Sequence, residues 1–128
     1  MHHTIFLCFA LLIPLIFLGG CAPSASDAYH KITPQDGYEM MKKEPIPLID
    51  VREPTEYQQG HIPGARLIPL GTIDETIKDK LPDKKKPLIV YCRSGVRSKK
   101  AAMKLVELGY ADVRDMGGIL DWPYEIEK

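Results

Sequence analysis

The sequence predicts an α/β fold: a mainly parallel sheet covered by helices on both faces. Short runs that are apolar throughout, PIPLIDV, GARLIPL and KPLIVYC, recur along the chain between prolines and glycines. Strands with one wet side alternate polar and apolar residues, whereas unbroken apolar runs belong to strands buried on both faces. Segments with helical start and stop signals lie between these runs, so the order reads helix, strand, helix, strand. In such sheets the ligand site lies beyond the carboxyl ends of the strands.

The first stretch stands apart from this pattern. Residues 5–18 carry no charge and consist of aliphatics, Phe, Ala, Pro14 and Cys8. The run falls short of the roughly 20 residues that a bilayer span requires and suits a cleavable secretory signal. Leu18-Gly19-Gly20-Cys21 resembles the bacterial lipobox, which implies that Cys21 is diacylated and begins the mature chain. Residues 1–20 then read as a lipoprotein signal peptide, 21–28 as a lipidated tether and 29–128 as the domain. The leader MHHT departs from the pattern in having no Lys or Arg. Alternatives are an uncleaved anchor, or a plain secretory signal in which Cys21 is incidental. The expected location is the bacterial cell envelope, lipid-anchored and extracytoplasmic. Ala22 is not the aspartate associated with inner-membrane retention, so the anchor lies on the outer membrane of a two-membrane envelope or on the outer face of a single-membrane cell.

Residues 21–128 are enough for one compact domain and too few for two. The chain has 17 basic and 17 acidic residues, none within residues 1–20. A balanced domain has no general basic face for nucleic acid or for a membrane surface, and its substrate must be recognised locally. A monomer is the simplest state for it. Once Cys21 is acylated the domain holds one thiol, Cys92, so it forms no internal disulfide although export implies an oxidising compartment.

The small, polar CAPSASDA reads as a tether. Thr33-Pro34 is an N-cap followed by proline at the first helical position, and Tyr38, Met40 and Met41 give that helix an apolar side before Pro45. PIPLIDV is a buried strand ending at Asp50. A turn of helix starts at Pro54 and stops at Gly60, and GARLIPL is a strand between Gly64 and Gly71. TIDETIKDKLP is an acidic-starting helical piece, and Asp83-Lys84-Lys85-Lys86 makes a solvated turn whose cations could meet an acidic partner or a lipid headgroup. KPLIVYC is a strand ending at Cys92. From Ser98, Ala102, Leu105, Val106 and Leu108 keep helical register to Gly109. ADVRDMGG is a last strand and turn, and Trp122 and Tyr124 pack the C-terminal segment onto the core.

Cys92 thus ends a buried strand, and the loop 93–97 leads into a helix. A helix N-terminus carries about half a positive charge and several unpaired N–H groups, and can lower a thiol's pKa below its free value of ~8.5. Arg93 and Arg97 would add to that field, Gly95 permits a tight turn at positive φ, and Ser94 and Ser98 offer hydroxyls. Such a site accepts a sulfur-bearing or oxyanionic substrate. The plain alternative for Cys92 is a small buried hydrophobe, but two arginines and a glycine have no packing purpose after a core strand.

IDVREPTEYQQGHIPGARLIP, YCRSGVRS and MGGILDWPYE, in this order and spacing, resemble the single-domain rhodanese-like proteins of the thiosulfate sulfurtransferase type, from about Ile32 to the C-terminus. The resemblance implies a rhodanese-like fold with a mainly parallel sheet of about five strands. It also implies a ping-pong reaction in which Cys92 takes the outer sulfur of a small anionic donor such as thiosulfate and passes it from a persulfide to cyanide or a thiol. The six-residue cradle corresponds to Cys92, Arg93, Ser94, Gly95, Val96 and Arg97, with its N–H groups holding the persulfide. Asp50 and Arg52 match the family's Asp-x-Arg and brace the site, and Gly60 to Ala65 matches its next signature. No cofactor or metal is implied, and His2-His3 lies in the removed peptide. His61 reads as a hydrogen-bonded structural residue, Gly117-Gly118 as a turn. One rival is a rhodanese-like module that binds or delivers sulfur, or a partner, without turnover. The other is a cysteine phosphatase or arsenate reductase. Phosphatase loops space cysteine and arginine by five residues rather than the four found here, and a phosphatase would need a general acid, for which Asp115 is the available candidate.

Overall fold

The computed structural model describes residues 25–128, with side chains from Asp27 onward. The signal-peptide and lipobox readings, Cys21 included, lie outside the described residues. In chain order the elements are α1 (Ala25–Ala28), β1 (Tyr29–Lys31), α2 (Pro34–Lys43), β2 (Leu48–Asp50), α3 (Pro54–Gln59), β3 (Arg66–Leu67), β4 (Leu88–Cys92), α4 (Val96–Glu107) and β5 (Val113–Gly118). Three short 3-10 turns, Leu70–Thr72, Glu75–Asp79 and Ile119–Asp121, fill the connections. The strands form one sheet in the order β1-β5-β4-β2-β3, with every pairing parallel.

β4 shows why its sequence is apolar without a break. Leu88, Val90 and Cys92 face one core with Ala101, Ala102 and Leu105 of α4 and with Ile73 and Ile77. Ile89 and Tyr91 face a second core that α2 and α3 close with Tyr38, Met41 and Tyr57, and the C-terminal segment with Trp122 and Tyr124. Because successive side chains point to opposite faces, a strand between two cores has no solvent side to make polar.

The helix signals in the sequence have direct local counterparts. Thr33 Oγ1 accepts from the Asp36 amide at 3.0 Å while Asp36 accepts from the Thr33 amide, a reciprocal cap with Pro34 in the first turn. α3 starts at Pro54 and ends against Gly60.

Four elements differ from the sequence reading. The tether was expected to run to residue 28, but residues 25–28 form a helical turn that packs against α4, and Ala28 is buried. β1 had no counterpart in that reading: Tyr-His-Lys has no apolar run, and it is a strand because its position beside β5 satisfies its backbone. In GARLIPL only Arg66–Leu67 pairs as strand, since Pro69 cannot donate and the chain turns there. α4 begins at Val96 rather than Ser98, so Val96 and Arg97 belong to the helix's first turn and the loop is shorter by two residues.

Candidate active site

Cys92 closes β4 with its side chain fully buried, at the carboxyl edge of the sheet where β4 pairs with Gly118 of β5 after a shift in register. The chain then reverses over Arg93 and Ser94 into Gly95, whose φ of +106° lies in the left-handed region. Glycine takes that conformation without the penalty a Cβ would bring. The turn aims the Gly95 amide at Cys92 Sγ, 3.0 Å away. Gly95 is also the N-cap of the twelve-residue α4, so the sulfur sits at the head of a helix whose opening amides have no intrahelical acceptors. Ser98 is buried and donates its hydroxyl to the Gly95 carbonyl at 3.0 Å, fastening loop to helix. Arg93, Ser94 and Val96 are exposed around the loop.

The two arginines of the loop stand in different environments. Arg97 is held by Glu56 of α3 through two hydrogen bonds, at 2.5 and 2.9 Å. The Arg97 hydrogen bond holds the Glu56 carboxyl down at about 2 against the opposing effect of burial, and the same bond raises Arg97. Much of the field that the sequence reading assigned to Arg97 is therefore neutralised by an acid from another helix. Among the described residues Arg93 makes no ion pair; it borders a cleft of about 280 Å³ with Arg52, Glu56, Gly60, Leu120 and Ile126.

Asp50 and Arg52 form a node under this cleft. Arg52 donates from Nε and Nη2 to the Asp50 carboxylate at 2.8 to 3.1 Å and from Nη2 to the Gly60 carbonyl at 2.7 Å. Tyr91, one residue before Cys92, donates its hydroxyl to Asp50 Oδ2 at 2.8 Å and accepts from the Ile62 amide. Burial is the main reason the Tyr91 hydroxyl stays protonated far above its ordinary range. Since Asp50 is fully buried and Arg52 5 % exposed, each charge depends on the other.

Gly117 and Gly118 do more than turn the chain. Gly118 lies so close under the loop that a Cβ built on it would overlap the Arg93 carbonyl oxygen and sit 2.7 Å from Ser94 Cα. Asp115 holds this glycine pair by accepting from the Gly117 amide at 2.9 Å and the Tyr29 hydroxyl at 2.7 Å, with Lys31 Nζ 3.8 Å away. It is 1 % exposed and is not presented to a substrate as a phosphatase general acid would be. His61 stacks on the Tyr57 ring and sets Nδ1 2.9 Å from the Tyr57 carbonyl, in keeping with a structural role. Trp122 is a core residue, in edge contact with Tyr38. Lys84 departs from the solvated reading: it donates to the Leu108 carbonyl at 2.6 Å and caps the end of α4.

Sequence reasoning passed over Tyr91, Glu56 and the closeness of Gly118. Tyr91 and Glu56 were hidden because their partners lie 41 positions away. The glycine pair was a visible signal, but its neighbour was not.

The family model described as the rhodanese-like domain matches residues 33–124. Thiosulfate sulfurtransferase PspE of Escherichia coli (strain K12) is 45% identical over 73 residues, 57% of this chain and 70% of that protein. Thiosulfate sulfurtransferase GlpE of Pseudoalteromonas translucida is 36% identical over 96 residues, 74% and 90% of the two chains. Among solved structures, a rhodanese with anions from E. coli is 41% identical, with a TM-score of 0.60 over 64% of this chain and 96% of that one.

Proposed function

The chain belongs to the rhodanese-like domain family, and from that premise we propose that it is a sulfurtransferase working through a persulfide on Cys92. The thiolate of Cys92 attacks the outer sulfur of thiosulfate. The new Cys92 S–S bond forms as the donor's S–S bond breaks, and sulfite leaves with the bonding electron pair. A nucleophile such as cyanide or a thiolate then attacks the terminal sulfur, carries it away and returns the Cys92 thiolate. Thiosulfate is the donor named for the curated relatives.

The observation that carries this reading is the Gly95 amide 3.0 Å from Cys92 Sγ at the head of α4. Amides at 93–98 stabilise negative charge on the sulfur and on the persulfide's outer atom. Arg93 draws the anion in, Gly95 and Ser98 hold the loop's shape, and Arg97 acts as a strut through Glu56. Asp50 and Arg52 support β2 and Gly60 beneath the cleft. Burial of Cys92 limits access to small sulfur donors and shields the thiol from the oxidants of an extracytoplasmic compartment.

The test is intact-mass spectrometry of the purified protein before and after thiosulfate, and again after cyanide. A gain of about 32 Da confined to Cys92 and removed by cyanide, with thiocyanate formed, is the expected result. A folded protein with a free thiol and no adduct would overturn it and favour the binding module.

The proposal extends to the leader. Residues 1–20 are read as a lipoprotein signal and Cys21 as the acylated residue that anchors a monomeric domain outside the cytoplasm. Cys21→Ala should release the protein from membranes or block its processing; unchanged membrane association with an uncut leader would favour the anchor reading.

A further inference from the structure

We infer that the end of the sheet opposite the Cys92 loop rests on the anionic headgroups of a phospholipid bilayer, so that the reactive loop points away from the membrane. This orientation rests on the lipid anchor at Cys21 proposed above. Three observations carry it.

The first is where the chain joins the sheet. Tyr29 stands level with Val113, and Val113 with Leu88, at the amino ends of the parallel strands. Cys92 and Gly118 pair at the opposite ends, and four residues of strand separate the two levels by about 13 Å. The tether therefore meets the domain at the edge away from the loop.

The second is reach. α1 is one turn, packed against α4. Residues 21–24 span at most about 14 Å when extended, which keeps the edge that α1 adjoins near the bilayer.

The third is charge. Residues 78–86 hold five lysines against two aspartates, and this segment returns to the amino edge before β4, where Arg66 at the start of β3 donates to the Lys80 carbonyl. A cleft there brings Glu44, Arg66, Lys80, Asp83 and Lys86 together. Lys85 and Lys86 are exposed, and Lys43 ends α2 beside Glu44. Asp112 is held by Arg114, and Asp83 and Lys86 lie 3.8 Å apart, which leaves Lys43, Lys80 and Lys85 outside any ion pair among the described residues. The tether permits a cone of orientations. Lysines near an anionic leaflet select among them, because their attraction acts within about a Debye length of the surface, and an acyl chain combined with a basic patch holds more firmly than either.

The test uses the acylated protein purified from bacterial membranes and added to preformed vesicles of phosphatidylcholine, with or without phosphatidylglycerol. A membrane-impermeant amine-acylating reagent reports lysine accessibility, read peptide by peptide. Lys43, Lys80, Lys85 and Lys86 should react roughly threefold or more slowly on the anionic vesicles, with the protection lost in high salt. Lys31 and Lys99, at the Cys92 end, should react equally on both. Combining Lys43→Gln, Lys85→Gln and Lys86→Gln should abolish the difference at Lys80. Equal rates everywhere, or protection at Lys99, would overturn the orientation while the mass of the N-terminal peptide still showed an acylated Cys21. An unacylated N-terminus on protein that stays off the vesicles would instead remove the anchor, and the orientation with it. Protection in native membranes but not on anionic vesicles would assign the surface to an acidic protein partner and overturn the lipid proposal.

Discussion

Two strand ends at the same edge of the sheet use arginine in opposite ways. At the end of β2, the Asp50–Arg52 pair, Tyr91, the Gly60 carbonyl and the Ile62 amide are joined in one hydrogen-bonded network. At the end of β4, Arg93 and Ser94 are exposed while the Gly95 amide at the head of α4 points at a buried sulfur. A closed polar network in a low-dielectric place gives rigidity and little chemistry. Donors held in place by such a network are preorganised for the anionic substrate proposed above. The closed node holds the floor so that the open loop can stay open.

Breaking each region should have separable consequences. Cys92→Ser removes the proposed nucleophile and should lower sulfur transfer by about a thousandfold or more, while the unfolding midpoint barely moves, because the hydroxyl keeps the Gly95 contact. A variant retaining substantial turnover would take Cys92 out of the mechanism. Asp50→Ala should do the reverse. It leaves the buried Arg52 uncompensated and should cost about 3–5 kcal/mol in denaturant unfolding; a loss under 1 kcal/mol would show that water enters the node and that it is less closed than its contacts imply.

Gly118→Ala tests the place where the two regions share a wall. The added methyl must displace the Arg93 carbonyl, which should cost about 1–3 kcal/mol and slow persulfide formation in the protein that remains folded. Unchanged kinetics would show that the loop can shift without harm.

The smallest effect is expected at the strut. Glu56 and Arg97 are 25% and 31% exposed, so Glu56→Gln should cost no more than about 1 kcal/mol. Its signature lies in pH. A carboxyl depressed from 4.5 to about 2 adds stability that is fully present above the higher value and lost as pH falls through the lower one. The Gln variant should lack that part of the acid-side decline, and matching acid unfolding curves would remove Glu56 from the account.

Much of the loop was legible before any fold was known. An apolar run ending in cysteine, followed by arginine and glycine and then a helical register, places a thiol at a strand exit beside helix amides, and each of these signals lies within a few residues of the next. The limits of the elements were less legible. The register before Ser98 does not reveal that Gly95 already caps α4, because a helix start depends on a backbone turn that the apolar pattern does not encode.

The sequence by itself determined that PIPLIDV and KPLIVYC hold buried strands, where α2 and α3 begin, and that Cys92 stands at a strand's carboxyl end. Those features follow from local chemistry: apolar period, proline, glycine and capping side chains. Tertiary structure decided the rest. It made Tyr29–Lys31 a strand by setting it beside β5, gave Arg97 to Glu56 and Asp50 to Tyr91, and pressed Gly118 against Arg93. Several acids stand within reach of no arginine until the sheet closes. Which one becomes a partner is settled by the register of strands and the placement of helices, since distant groups acquire an interaction energy only once packing has brought them together.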